Sequence, residues 1–411
     1  MVSLDLDFVR AQFPVFSHSE SANWAHLENA GGSYVPDQVI SLLQDFFITS
    51  KVQPYWDFGP SAKAGEAMDR SLELIPSTFN ADRDEVHFGP STSQNTYVLA
   101  QALRPSWNID DEIIVTNQDH EANIGAWRRL ASYGFKIKEW KLNPKNAELE
   151  IDDLKKLLNK KTKIVAVTHC SNIVGSINNL KLIAEIVHEY NAYIVGDGVS
   201  YAPHGFPDVK ELDVDFYAFS LYKTYGPHLG LLYGKKEILK SLENQNHEFL
   251  EGDVPYTLNP GGPNHEELSS LIGIYEYFDN LYNHHFSNVN VNIRKKIMKI
   301  NELIANHEEK IANPLLEFIS SNKNINLIGK TRIINRNRAP TIACTFNNKS
   351  SKTVAKELVN QGIATRNDNF YAWRCLKALG IDTEDGVVRM SLVHYNSNED
   401  VNKLIDALKN I

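Results

Sequence analysis

Through the middle of the chain, short apolar runs rich in β-branched residues alternate with longer stretches whose apolar positions recur every three or four residues. "EIIVTN" (112–117), "KIVAVTH" (163–169), "AYIVGD" (192–197) and "DFYAFS" (215–220) read as strands, and "GLLYG" (230–234) begins one more. Between them, "HEANIGAWRRLASYG" predicts a helix closed at Gly134. "LKLIAEIVHEYN" (180–191) predicts another, with Leu180, Ile183, Ile186, Val187 and Tyr190 on one face. Strands that are apolar throughout, alternating with helices, predict a parallel α/β sheet covered on both faces.

The pattern changes after about residue 285. "NVNVNIRKKIMKINELIANHEEKIANPLLEFISSN" reads as one long amphipathic helix or two. "IACTFNN" and "VVRMSLVHY" read as strands of a smaller α+β unit, flanked by the helical "SKTVAKELVNQG" and "NSNEDVNKLIDALKNI". The expected organisation is a large α/β domain over 31–289 and a small domain over 290–411, with residues 1–30 packing against the small domain. No repeat or low-complexity segment interrupts this plan.

Composition narrows the classes. The 411 residues are 42% hydrophobic and 23% charged, which suits a soluble globular chain with a large core. A net charge of −9 without a long basic run argues against a nucleic-acid surface. The three cysteines, Cys170, Cys344 and Cys375, are far apart, which argues against a disulfide framework or a cysteine-rich zinc site, and no metal is expected. The amino terminus, "MVSLDLDFVRAQFPVF", does not read as a secretory signal. No apolar run approaches the ~20 residues of a membrane span. The expectation is a cytoplasmic protein acting on a small molecule.

Candidate chemistry collects just past the strand ends, where open α/β sheets bind ligands. Asp197 follows one strand, and Ser220 and Lys223 follow the next in "YAFSLYK". His169 and Asn172 follow a third, and Ser91, Thr92 and Ser93 start a helix in "FGPSTSQNTY". Each has an ordinary reading: a solvated lysine, a turn aspartate, a capping serine. Their coincidence matches a carbonyl cofactor with a pyridine ring and a phosphate. Such a cofactor needs a lysine to form an imine and a carboxylate to keep the ring nitrogen protonated. It also needs hydroxyls and amides at a helix start to hold the phosphate.

The stretch from "VTHCSNIVG" through "IVGDGVSY" to "FSLYKTYGPHLGLLYG" resembles the pyridoxal-phosphate core of the class V aminotransferase family, in its cysteine-desulfurase-like branch. "HLENAGGS", "TNQDHEANIGAW", "NPGGPNHEEL" and "VVRMSLVHYNSNEDVNKL" resemble the family's other motifs, in the family's order and over nearly the whole chain. The resemblance implies pyridoxal 5′-phosphate and the type I transferase fold: a mostly parallel, seven-stranded-type sheet in a large domain, plus a smaller α+β domain. By position it implies Lys223 as the Schiff-base lysine, Asp197 at the pyridinium nitrogen and His120 stacked on the ring. Thr92, Ser93 and Ser220 would hold the phosphate and Asn172 the ring hydroxyl. Ser200 replaces a glutamine that usually makes the last contact. Arg389 would grip the substrate carboxylate with a bidentate fork. Asn29, Arg366 and Tyr371 would border the substrate. The family is generally a homodimer with shared active sites, and the loop around Gly262 matches the segment lent by the partner.

One motif departs from the branch. A desulfurase places a nucleophilic cysteine on a mobile loop of the small domain. Here the loop reads "TRNDNFYAWRCLKALG" with Tyr371 at the expected position, and Cys375 lies four residues on, in a predicted helix "FYAWRCLKALG". The reading that follows is an enzyme working through Lys223 and a Cα carbanion. β-Elimination from a sulfur-containing amino acid is the expected reaction. Transamination, epimerisation, desulfuration through Cys375 and a silent scaffold of the same fold are the alternatives.

Overall fold

The structure is a computed structural model that describes residues 2–287 and 291–411. Seven strands build its central sheet: Val86–Gly89 (β1), Glu112–Thr116 (β2), Lys136–Trp140 (β3), Thr162–Thr168 (β4), Tyr193–Asp197 (β5), Phe216–Ser220 (β6) and Gly230–Gly234 (β7). Their order is β1-β7-β6-β5-β4-β2-β3. All pairs are parallel except those of β7, which runs antiparallel to both neighbours. Neither β1 nor β3 stands out in the apolar pattern of the sequence. Both are edge strands, and β3 (KIKEW) carries lysines where an interior strand would carry apolar residues.

Alternation along the strands decides which helix covers which face. Ile114, Val165, Val167, Ile194, Tyr217 and Phe219 point to one side, among buried residues that include Leu180, Ile183 and Val187. Ile113, Val115, Ile164, Ala166, Val195 and Phe216 point to the other, beside Leu99, Leu103, Ile124 and Trp127. The helices Thr92–Leu103 (α1) and Glu121–Arg129 (α2) therefore lie on one face, and Leu180–His188 (α3) on the opposite one. Beyond α2 the chain tightens into a 3-10 turn and stops at Gly134, whose φ of 95° suits glycine.

The single long helix Ile293–Ser321 (α4) settles the alternative of one helix or two. Ile297, Ile300 and Ile304 belong to the core of the large sheet, whereas Ile311, Leu315 and Ile319 belong to a second core. That second core lies on the sheet of Ile325–Leu327 (β8), Thr341–Phe346 (β9), Arg366–Asp368 (β10) and Val387–Ser391 (β11). The order is β10-β11-β9-β8, antiparallel throughout. The carboxy-terminal helix Asn398–Lys409 (α5) closes it, started by a capping box between Ser397 and Asp400. The expected domain boundary at 289/290 lies outside the described residues. The first thirty residues touch both cores: Val9 and Phe13 enter the large one, while Ala25 and His26 pair with Ile363 and Ala364 beside the small one.

The helix expected over "FYAWRCLKALG" starts only at Trp373. Phe370 and Tyr371 instead take left-handed backbone angles, with φ of 49° and 58°. The Asn369 carboxamide oxygen accepts the Tyr371 N–H at 3.0 Å and holds this turn. A local hydrogen bond from a short polar side chain here outcompetes the helix.

Candidate active site

In-register pairing sets the site. Thr168 lies opposite Asp197, and Asp197 opposite Ala218, so β4 and β5 end at one level and β6 two residues beyond it. Their carboxyl ends and the starts of α1 and α2 enclose a cavity of about 190 Å³. Its wall brings together Thr92, Ser93, His120, Asn172, Asp197, Ser200, Ser220 and Lys223. These eight are the residues expected around a pyridoxal phosphate and its lysine. Ser91, from the same helix start as Thr92 and Ser93, also lines it, and Ala122, Thr168, Cys170, Val199, Tyr222 and His228 complete the wall without having been singled out for binding. Each lies within one to five residues of a predicted position, so proximity to the motifs was the available signal.

Lys223 ends a short 3-10 turn, Leu221–Lys223, directly after β6. Two residues on, Tyr225 has a left-handed φ of 63°. That strained backbone is held by burial: the Tyr225 hydroxyl donates to the Pro203 carbonyl at 2.6 Å, and its ring packs among Phe13, Tyr277, Phe278 and His394. Gly226 in the same turn lets Ile274 pack close, since a Cβ there would meet its Cδ1 at 2.7 Å. Among the described residues the Lys223 Nζ makes no hydrogen bond or ion pair. Burial pulls its pKa down to about 8, helped by the charge of Arg389 and opposed by Asp197 and Glu28. A useful fraction of neutral amine is therefore present at physiological pH.

Asp197 is buried, and one carboxylate oxygen accepts the Val199 N–H at 2.9 Å. Burial pushes its pKa up to about 6, against the pull of that amide and of Lys223. Such a carboxylate gains from a cationic ring nitrogen beside it. His120 caps α2 by accepting the Ala122 N–H at its Nδ1, 2.9 Å away. Burial, Lys223 and Arg389 hold it neutral, with a pKa near 3. With Nδ1 accepting, the proton sits on Nε2.

The cavity fits pyridoxal phosphate on its own terms. Thr92 Oγ1 and Asn172 Oδ1 are buried, belong to residues of the wall, and have no hydrogen-bond partner. Orphaned buried polar atoms are costly unless a ligand satisfies them. Thr92 also opens α1, a helix whose first amides lack intrahelical partners and whose dipole favours an anion. Among the described residues no cluster of acidic, histidine or cysteine side chains forms a metal site.

Five expected residues stand apart from this cavity. Gly262 lines a larger neighbouring cavity of about 650 Å³, which shares His228 with the first but contains no lysine or aspartate. Arg389 is 2% exposed, stacks its guanidinium 3.7 Å above the Phe370 ring, and gives Nη2 to Glu28 at 2.8 Å. Asn29 is buried and donates to the Ser391 carbonyl at 2.7 Å and to Asn396 at 3.1 Å. Arg366 is turned outward and pairs with Asp368 at 2.9 Å. Tyr371 is 67% exposed, with its ring 5.3 Å from that of His120. Its carbonyl accepts the Glu121 N–H at 2.9 Å, and Arg374 pairs with Glu121 at 2.9 Å, so this turn is tied to the start of α2.

Of the three thiols only Cys170 borders the cavity. All three cysteines are buried, and burial pushes Cys170 and Cys375 up to about 12. Cys375 sits in an apolar cluster with Phe370, Ala372 and Leu376. A thiol so placed behaves as a small hydrophobe and carries almost no thiolate at neutral pH.

Comparison with known proteins agrees with this geometry. The family described as aminotransferase class-V matches residues 25–404. The aminotransferase-like protein FGM3 of Gibberella zeae is 36% identical over 99% of this chain and 98% of its own. The cysteine desulfurase-like protein ustD of Aspergillus flavus is 30% identical over 99% of this chain and 91% of its own. The crystal structure of the Escherichia coli cysteine desulfurase CsdA superposes with a TM-score of 0.83 at 24% identity, over 99% of this chain and 98% of that one.

Proposed function

This chain belongs to the class V aminotransferase family and is a pyridoxal-phosphate enzyme, and we propose that it catalyses β-elimination from a sulfur-containing α-amino acid. One observation carries the reading. The small-domain loop offers Tyr371 where a desulfurase offers its nucleophile, and the three thiols are buried, with Cys170 and Cys375 held as neutral thiols. Release of the β-substituent to solvent needs no protein nucleophile.

Bound in the cavity, pyridoxal phosphate supplies an aldehyde carbon for an amine and a ring that accepts the electron pair left at Cα. The residues of the chain do the rest. Lys223 Nζ would hold the cofactor, and its amine, with a pKa of about 8 that suits neutral pH, would serve as the base for the Cα proton. Asp197 would keep the ring nitrogen protonated. His120, neutral and in the same cavity wall, would stack on the ring. Thr92, Ser93 and Ser220 would hold the phosphate, and Asn172 the ring hydroxyl. Arg389 receives the substrate carboxylate.

Transamination is the second reading, favoured by the name of the relative at 36% identity. It uses the same residues and differs in where the proton returns. The loaded enzyme is mixed with a panel of amino acids while its visible band and the keto acid, ammonia, sulfide and alanine produced are followed. A band that recovers unaided while keto acid and ammonia accumulate supports elimination. A band lost until a keto acid is added means transamination. Alanine with persulfide on Cys375 would overturn both.

A homodimer is part of the same proposal. Phe47, Ile48, Tyr55, Trp56 and Phe58 are each at least half exposed within one short stretch of chain. Open space lies around Gly262, where an added Cβ would meet nothing. Exposed apolar groups in such number favour a partner. Light scattering at micromolar concentration should give twice the 46.5 kDa chain mass.

A further inference from the structure

The fork of Arg389 already holds a carboxylate, that of Glu28. Nη2 lies 2.8 Å from Glu28 Oε1, and Nη1 reaches the Asn172 carbonyl only at 3.4 Å. Nε is buried and has no partner. The guanidinium is thus held by one edge, flat on Phe370, with donors to spare. Arg389 itself does not line the cavity, although Asn172 beside it does. Asn29 and Ala30, which follow Glu28, line a small notch that also reaches Lys223.

Glu28 keeps this position because of a glycine. A Cβ built on Gly31 would lie 1.9 Å from Glu28 Oε2 and 2.7 Å from Oε1. Gly31 does not have a left-handed φ, so the backbone would accept alanine. Its missing side chain is a seat for the Glu28 carboxylate.

We propose that Glu28 is a specificity-determining residue that occupies the carboxylate subsite on Arg389, so that an amino acid substrate must displace it to bind. This rests on Arg389 being the group that receives the substrate carboxylate. Two carboxylates compete for one buried guanidinium, and the intramolecular one is always present. Its effect is to raise the concentration of amino acid needed for binding without touching the groups that do chemistry. It also leaves Arg389 neutralised while no substrate is bound, which a buried cation requires.

The test uses two probes that lack a leaving group: L-alanine, and ethylamine, which differs from it only by the carboxylate. Each is titrated into the cofactor-loaded enzyme, and binding is read from the visible absorption change. Glu28→Gln and Glu28→Asp should tighten alanine about tenfold, the scale of one hydrogen bond to a charged group, and leave ethylamine within about twofold. Gly31→Ala should act the same way, because it unseats Glu28 while both charged residues stay. Unchanged or weaker alanine binding in all three variants overturns the proposal. Arg389→Gln separates the two levels of the argument. If it abolishes the preference for alanine over ethylamine, the role of Arg389 stands whatever Glu28 does. If the preference survives, that role falls, and the proposal with it.

Discussion

Lys223 is a lysine whose chemistry depends on where its backbone leaves the sheet. Its pKa of about 8 is set mainly by burial, which disfavours the ammonium form. Only the free amine attacks an aldehyde. Capture of pyridoxal phosphate by the cofactor-free protein should therefore accelerate about tenfold per pH unit below 8 and level off above it. Stopped-flow absorbance at several pH values checks this. A rate still climbing towards pH 10 would mean an ordinary solvated lysine. At the same scale, Asp197→Asn should leave the fold intact and lower turnover by about two to three orders of magnitude, as loss of a preorganised charge does. Steady-state kinetics beside a matching circular dichroism spectrum reads it.

At the scale of secondary structure, the site depends on how closely β7 passes the start of α1. A Cβ on Gly230 would lie 2.3 Å from the Ser91 carbonyl carbon and 2.4 Å from the Thr92 nitrogen. Backbone atoms cannot give way as a flexible side chain can. Gly230→Ala should therefore shift the helix start that faces the phosphate and weaken cofactor binding by at least about tenfold, with a smaller fall in Tm. Equilibrium dialysis against pyridoxal phosphate measures the first effect and calorimetry the second. The misread helix at Phe370–Gly380 also belongs to this scale. Apolar periodicity there is real, but Asn369 and contacts to the start of α2 hold the first two residues in left-handed geometry. Periodicity cannot report a side-chain bond or a contact made 250 residues away.

For the whole molecule, buried titratable groups determine the response to acid. His87, His169 and His394 are buried and neutral, with pKa values pulled down to about 4, 3 and 3, and His120 is held near 3. In the unfolded chain each would titrate near 6.5. Below that value the unfolded state takes up protons that the folded state refuses, so stability falls with pH. Asp119 and Asp197 act in the opposite sense, because burial raises them to about 7 and 6 and the folded state keeps their protons longer. Four histidines against two aspartates leave a net loss on acidification. The Tm of the cofactor-free protein should drop steeply between pH 6 and 4. A flat profile over that range would contradict the buried neutral histidines.

Much of this protein follows from local pattern. Apolar runs of strand length, helical periodicity and glycine stops are short-range properties. They sufficed for the five interior strands, α2, α3 and the carboxy-terminal helix, and the motifs named eight residues that the fold gathers at one cavity: Lys223, Asp197, His120, Thr92, Ser93, Asn172, Ser200 and Ser220. The edge strand β3 escapes the pattern because an edge need not be apolar, and β1 because it is only four residues long. What only the tertiary structure decided is pairing between distant segments. The hold of Glu28 on Arg389 spans 361 positions of sequence. The depth at which Cys375 is buried, and the single helix α4 serving two cores, are settled by packing. Hydrophobic burial and charge pairing act through space, and the distance along the chain carries no record of them.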